Sequence, residues 1–152
     1  MGADTPLRAD GTGHAPSPRA KISVARLMTA ETARTLVSFD IDGTLEVGDP
    51  PGIVTVSMVR QAKSLGYLIG SCSDRPVRFQ QELWVRLGIG VDFTVLKHRL
   101  ADVKALFQAA AYYHIGDTEV DDSVASRAGF RFLRADAAAH RAWGPELFIA
   151  RS

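Results

Sequence analysis

The chain has 152 residues with a formal net charge of +1, an apolar content of 46% and a charged content of 23%. These values suit one soluble globular domain built on one hydrophobic core, and they give no bulk electrostatic reason to expect a nucleic acid or a membrane surface as partner. A lone cysteine, Cys72, excludes an internal disulfide framework and a multi-cysteine zinc site, and no apolar run nears the roughly 18 residues of a spanning helix.

Residues 1–20 are rich in Gly, Pro, Ala and small polar residues and lack apolar periodicity. Such a stretch buries too little surface to offset its ordering entropy, so a flexible tail is expected there, with the folded domain over residues 35–150. The N-terminus has no basic segment followed by an apolar one, and with a single cysteine the default expectation is a cytoplasmic protein.

A short helix is expected over Ile22–Arg34, then a first strand over Thr35–Asp40, whose apolar, partly β-branched run reads as buried. Ile53–Leu65 has helical spacing through Val56, Met58, Val59 and Ala62, with Gly66 as its stop. A second strand follows over Tyr67–Cys72, and Pro76 opens a helix reaching Leu87. Phe93–Leu96 reads as a third strand, Leu100–Ala110 as a helix, and Tyr112–Ile115 as a fourth strand. Asp121–Ala128 is a helix ended by Gly129, and Phe130–Leu133 a fifth strand. The Ala-rich segment from Ala135, with Trp143-Gly144-Pro145, reads as a further helix and docking segment. Strands alternating with helices over short connections imply βαβ units, a parallel sheet and helices on both faces: an α/β, three-layer Rossmann-like fold.

In such sheets ligands bind outside the carboxyl ends of the strands. The first strand here ends in Asp40-Ile41-Asp42-Gly43-Thr44, and the second in Ser71-Cys72-Ser73-Asp74-Arg75-Pro76. Lys97-His98-Arg99 follow the third, and Gly116-Asp117-Thr118-Glu119-Val120-Asp121-Asp122 close the fourth. One edge therefore collects several carboxylates, a hydroxyl and an ammonium. Carboxylates crowded together resist joint ionisation, and a cation or a proton relieves the repulsion.

This arrangement resembles the haloacid dehalogenase superfamily of aspartate-nucleophile phosphohydrolases. Asp40-Ile41-Asp42-Gly43-Thr44 is similar to its first motif, and Ser73 to the Ser or Thr of its second. A lysine after the third strand is similar to its third motif, and Gly116-Asp117 with Asp121 to its fourth. The resemblance covers about residues 35–134 and implies a five-stranded sheet of order 5-4-1-2-3 without a cap domain. The intervals between Leu45 and the second strand, and between Pro76 and Lys97, are too short to hold one.

The resemblance implies a Mg²⁺-dependent phosphomonoester hydrolase in which Asp40 attacks phosphorus and forms an aspartyl-phosphate. Asp42 is implied as the acid and base, a role favoured by a carboxyl pKa raised through crowding by Asp40. The implied Mg²⁺ site draws on Asp40, Asp42 through its backbone carbonyl, and Asp117, with Asp121 orienting the lysine or a metal-bound water. Ser73 and Lys97 are implied to hold the nonbridging phosphate oxygens, with Lys104 the alternative lysine and Arg75 a further substrate contact. Cys72 is expected to be a small buried side chain facing away from the site.

The implied partner is a phosphorylated small molecule or macromolecule, and an open site implies either a large substrate or a neighbouring copy of the chain as its lid. The alternatives are a nucleic-acid end phosphatase, a receiver-like phosphoacceptor and a non-catalytic phosphate- or metal-binding protein. Fold-level resemblance does not separate these.

Overall fold

A computed structural model describes residues 34–148. The expected tail over residues 1–20 and the helix over Ile22–Arg34 lie outside the described residues, apart from Arg34 itself. Five parallel strands form one sheet: β1 (Thr35–Phe39), β2 (Leu68–Ser73), β3 (Phe93–Leu96), β4 (Ala111–Gly116) and β5 (Arg131–Arg134). Their order is β3-β2-β1-β4-β5, the expected arrangement viewed from the opposite edge. The helices are α1 (Val56–Ser64), α2 (Val77–Leu87), α3 (Leu100–Leu106), α4 (Glu119–Ala128) and α5 (Ala137–Phe148).

The sheet has two covered faces and therefore two cores, where composition alone suggested one. Val37, Phe39, Ile69 and Ile115 pack with Val59 and Ala62 of α1, Leu83 and Trp84 of α2, and Trp143 and Leu147 of α5. Leu36, Cys72 and Phe93 pack on the other face with Leu100 and Val103 of α3 and Ala125 of α4. β1 is central and covered on both sides, which is why its sequence is an apolar run rather than an alternation. Phe39 is fully buried there, and truncating such a side chain to alanine costs about 3–5 kcal/mol.

Side-chain hydrogen bonds set the helix boundaries and shift several of them from the sequence expectation. Thr55 caps α1 through its hydroxyl and the Met58 N–H, so the helix begins at Val56 and leaves Val54 bridged to Leu45. Thr118 caps α4 in a reciprocal capping box with Asp121, which starts that helix at Glu119 rather than Asp121. α3 stops at Leu106 because the Tyr112 hydroxyl takes over the backbone, donating to the Phe107 carbonyl at 2.6 Å and accepting from the Ala109 N–H at 3.0 Å. The segment from Ala135 forms the single helix α5, anchored by a hydrogen bond from Trp143 Nε1 to the Arg134 carbonyl.

Between β1 and β2 the chain holds a turn-rich segment and α1; between β2 and β3 it holds α2. No inserted domain covers the carboxyl edge of the sheet among the described residues. None of the described helices is long and apolar enough to cross a membrane.

Candidate functional site

Asp40 follows β1, and its N–H donates to the Ile115 carbonyl at 2.9 Å, extending the β1–β4 ladder by one bond. Strand alternation puts it on the α3/α4 face with Leu36 and Ser38. Two glycines let the neighbouring segments close around it. A Cβ on Gly43 would collide with the Asp117 carboxylate, and one on Gly116 with the Asp121 side chain. Asp40, Asp117 and Asp121 consequently offer carboxylate oxygens that all lie within 4.8 Å of one another. Asp117 Oδ1 is buried without a hydrogen-bond partner, as is Thr44 Oγ1 in the adjoining turn. A buried, unpartnered carboxylate oxygen beside two further carboxylates is a donor set suited to a hard divalent cation.

Lys97 begins a single 3-10 turn after β3 and reaches into this group. Its Nζ lies 3.3 Å from Asp121 Oδ1, 3.4 Å from Asp74 Oδ2 and 3.9 Å from Asp40 Oδ1. Burial alone would lower its pKa, but the three carboxylates outweigh that and raise it, so the ammonium is retained. Asp121 is fully buried and its oxygens are occupied. Oδ1 meets Lys97 and lies 3.1 Å from His114 Nε2, while Oδ2 accepts from the Thr118 hydroxyl at 2.8 Å and the Thr118 N–H at 3.2 Å. Burial disfavours its charge, yet the His114 contact, Lys97 and Thr118 together hold it well below the ordinary carboxylate range. Asp40 goes the other way. Burial first, then the charge of Asp121, pushes it up to about 8 against the pull of Lys97.

Asp42 departs from the sequence expectation in its electrostatics. Its carboxylate is not among the three that cluster, so its side chain does not join that candidate ligand set. It accepts instead from Arg75 Nε at 2.7 Å, Arg75 Nη2 at 3.3 Å and the Asp49 N–H at 2.8 Å. Its pKa is also lowered, not raised: burial pushes it up, but the Arg75 guanidinium and the Asp49 N–H prevail. Crowding by Asp40 is not its governing influence.

Ser73, at the end of β2, is buried, and its Oγ accepts from the Arg75 N–H at 3.0 Å, leaving the hydroxyl proton to donate elsewhere. Lys104 belongs to no part of this edge, which corrects its place as the alternative lysine. Its Nζ donates to the carbonyl of Gly129, the C-cap of α4, and lies 5.1 Å from the ring centroid of Tyr112 near the start of β4. Both mark the opposite end of the sheet. Cys72 is buried as expected, but it shares the α3/α4 face with Asp40 instead of facing away. It is fully buried, and burial, then the charges of Asp40 and Asp121, pushes its thiol up to about 12, which disfavours the thiolate.

Three residues of the site escaped the sequence reading. His114 is fully buried inside β4, with Nδ1 3.0 Å from Ser38 Oγ and Nε2 on Asp121. Arg134, at the end of β5, donates to the Asp117 carbonyl at 3.1 Å and pairs with Glu119. Buried Gln80 of α2 donates to the carbonyls of Arg75 and Val95, fixing the loop after β2. The available signal was pairing: Ser38 and His114 are polar residues at matched positions of two adjacent buried strands.

No protein-family model matches this chain, and no curated protein matches it. Among solved structures, the chain is similar to a hypothetical protein from Xanthomonas campestris, with 19% identity over 76% of this chain and 72% of that one, and a TM-score of 0.46. A likeness at that level carries no functional meaning.

Proposed function

We propose that this chain is a Mg²⁺-dependent phosphomonoester hydrolase of the haloacid dehalogenase type, acting through an aspartyl-phosphate at Asp40. The observation that supports it best is the gathering of Asp40, Asp117 and Asp121 at the carboxyl edge of the sheet, with Lys97 against Asp40 and Asp121. A carboxylate nucleophile, a fixed ammonium and a buried unpaired carboxylate oxygen are the groups that phosphoryl transfer needs in one place.

In this reading one Asp40 oxygen bonds to phosphorus as the ester oxygen leaves, and Asp42 gives that oxygen its proton. Asp42 then takes a proton from water as the water attacks the acyl phosphate and regenerates Asp40. Lys97 and the Ser73 hydroxyl hold nonbridging oxygens, and Asp121 aims Lys97 because its own oxygens are committed to Lys97, His114 and Thr118. The carboxylates of Asp40 and Asp117, with the Asp42 carbonyl, are the groups that would hold Mg²⁺, which when bound neutralises the repulsion between a carboxylate and an anionic phosphate. The buried, unpaired Cys72 fits a reducing, cytoplasmic setting.

Phosphate release from p-nitrophenyl phosphate, phosphorylated metabolites, nucleotides and oligonucleotide ends, with and without Mg²⁺, tests the proposal. Turnover is expected to require the metal and to vanish in both Asp40→Asn and Asp42→Asn. Turnover retained by Asp40→Asn would refute the covalent route. A stable phosphoprotein without ester turnover would point to a receiver, and metal binding without any turnover to a non-catalytic binding protein.

A further inference from the structure

Arg75 and Asp42 form a forked ion pair at the mouth of the site. Nε lies 2.7 Å from Oδ2 and Nη2 3.3 Å from Oδ1, and the two side chains retain 37% and 30% exposure. A guanidinium fork matches a carboxylate in plane and spacing, so this is a well-formed contact, not a chance approach. The main chain of Arg75 is pinned on both sides: Ser73 Oγ accepts its N–H, and Gln80 Nε2 donates to its carbonyl at 2.9 Å. Gln80 is in turn held by the Ser71 hydroxyl at 2.6 Å and the Val95 carbonyl at 3.0 Å. The guanidinium lies 4.6 Å from the Phe79 ring centroid, over a flat apolar support. A rigid base with an exposed, supported head is the build of a residue whose side chain changes partner.

The partner it now holds is a carboxylate that the reaction needs free. Other cations near this edge have different commitments: Arg99 pairs with Asp102 at 2.6 Å, and Arg134 with Glu119 and the Asp117 carbonyl. Building on the phosphatase reading, we propose that Arg75 is a latch, holding Asp42 in the ligand-free site and passing to a second anionic group on the substrate. The preferred substrates are then phosphomonoesters whose leaving portion bears a carboxylate or another phosphate. Binding of that group releases Asp42 from the fork, so selection of the substrate and release of the carboxylate are one event.

The test is binding of stable phosphonates in Mg²⁺ by calorimetry: propylphosphonate against 3-phosphonopropionate and propane-1,3-bisphosphonate. The wild type is expected to prefer one or both doubly anionic ligands by about tenfold or more, as charge-assisted forks allow. Which of the two is preferred identifies the second group as carboxylate or phosphate. Arg75→Ala should lose that preference, and Arg75→Lys, charged but without the fork, should fall between. Asp42→Asn should bind the doubly anionic ligands more tightly than the wild type, because the latch has no resting partner. An Arg75 serving only to brace the loop gives no such gain. No preference in the wild type, or the same preference in Arg75→Ala, overturns the proposal. Hydrolysis of the matching esters is assayed in parallel; its absence refutes the phosphatase reading and leaves the binding comparison to decide the latch.

Discussion

Gly43 and Asp117 occupy the same small space: a Cβ on the glycine would collide with the aspartate carboxylate. Gly43 also has φ of 78°, a conformation that L side chains adopt only at a cost. Alanine here therefore meets two separate obstacles. Gly43→Ala is expected to cost about 1–2 kcal/mol from the backbone alone and to push Asp117 out of the carboxylate group. Mg²⁺ affinity, followed by titration calorimetry, should fall by about tenfold or more, the scale seen when even the support of a metal ligand is disturbed. Undiminished affinity would show that the close approach does not build the site.

Two lysines offer a paired comparison. Lys97 contacts Asp40, Asp74 and Asp121, whereas Lys104 contacts only a helix-end carbonyl and a tyrosine face among the described residues. Lys97→Ala should lower kcat/KM by about 10²–10³, the usual scale for removing one donor from a developing charge. Lys104→Ala should leave kcat/KM unchanged and reduce stability by under about 1 kcal/mol. Equal effects on turnover would contradict the assignment of Lys97.

The two buried aspartates predict opposite pH behaviour. Asp40 has its pKa raised from 3.8 to about 8, so between those values the folded, metal-free protein keeps a proton that the unfolded chain releases. Its contribution is full at low pH and is lost as pH rises towards 8, with a limiting slope of about 1.4 kcal/mol per unit. Asp121 is lowered, so its contribution is present above the ordinary carboxylate pKa and is lost as pH falls below it. Melting temperature without metal should thus decline from pH 5 to pH 8. Asp40→Asn should flatten that decline, and Mg²⁺ should raise the melting temperature more at pH 8 than at pH 5. A metal-free profile that rises over this range would contradict the burial of Asp40 as an acid.

The carboxyl edge was legible because each strand end couples an apolar run to a turn rich in Gly and Asp, so Asp40, Ser73, Lys97, Asp117 and Asp121 could be collected by topology alone. Lys97 was separable from Lys104 on the same ground, since only the former directly follows β3. The partners of Asp42 were not legible. Whether it meets Asp40 or Arg75 depends on how the loop after β2 is carried across to the loop after β1, and the Gln80 bonds to the Arg75 and Val95 carbonyls that hold that loop come from within a helix. His114 was hidden for a different reason: in a strand buried on both faces, one imidazole reads as another core side chain. Helix starts shifted where a threonine cap, Thr55 or Thr118, competed with apolar periodicity.

His114 carries the last prediction. It bridges Ser38 on β1 to Asp121 on α4, and Asp121 in turn meets Lys97, so one fully buried imidazole sets the aim of an ammonium two contacts away. His114→Leu fills much of the volume but removes a partner from Ser38 Oγ and from Asp121 Oδ1. Each buried group left short costs about 1–3 kcal/mol, so an unfolding free energy lower by about 2–6 kcal/mol is expected. Ser38→Ala removes the smaller half of the relay and should cost about 1 kcal/mol. If His114 positions Lys97, the folded fraction of His114→Leu will also show reduced kcat, measured per mole of native protein. His114→Gln, which can still donate towards Asp121, should recover part of it. A variant that is less stable but turns over substrate like the wild type would make the imidazole a packing element and nothing more.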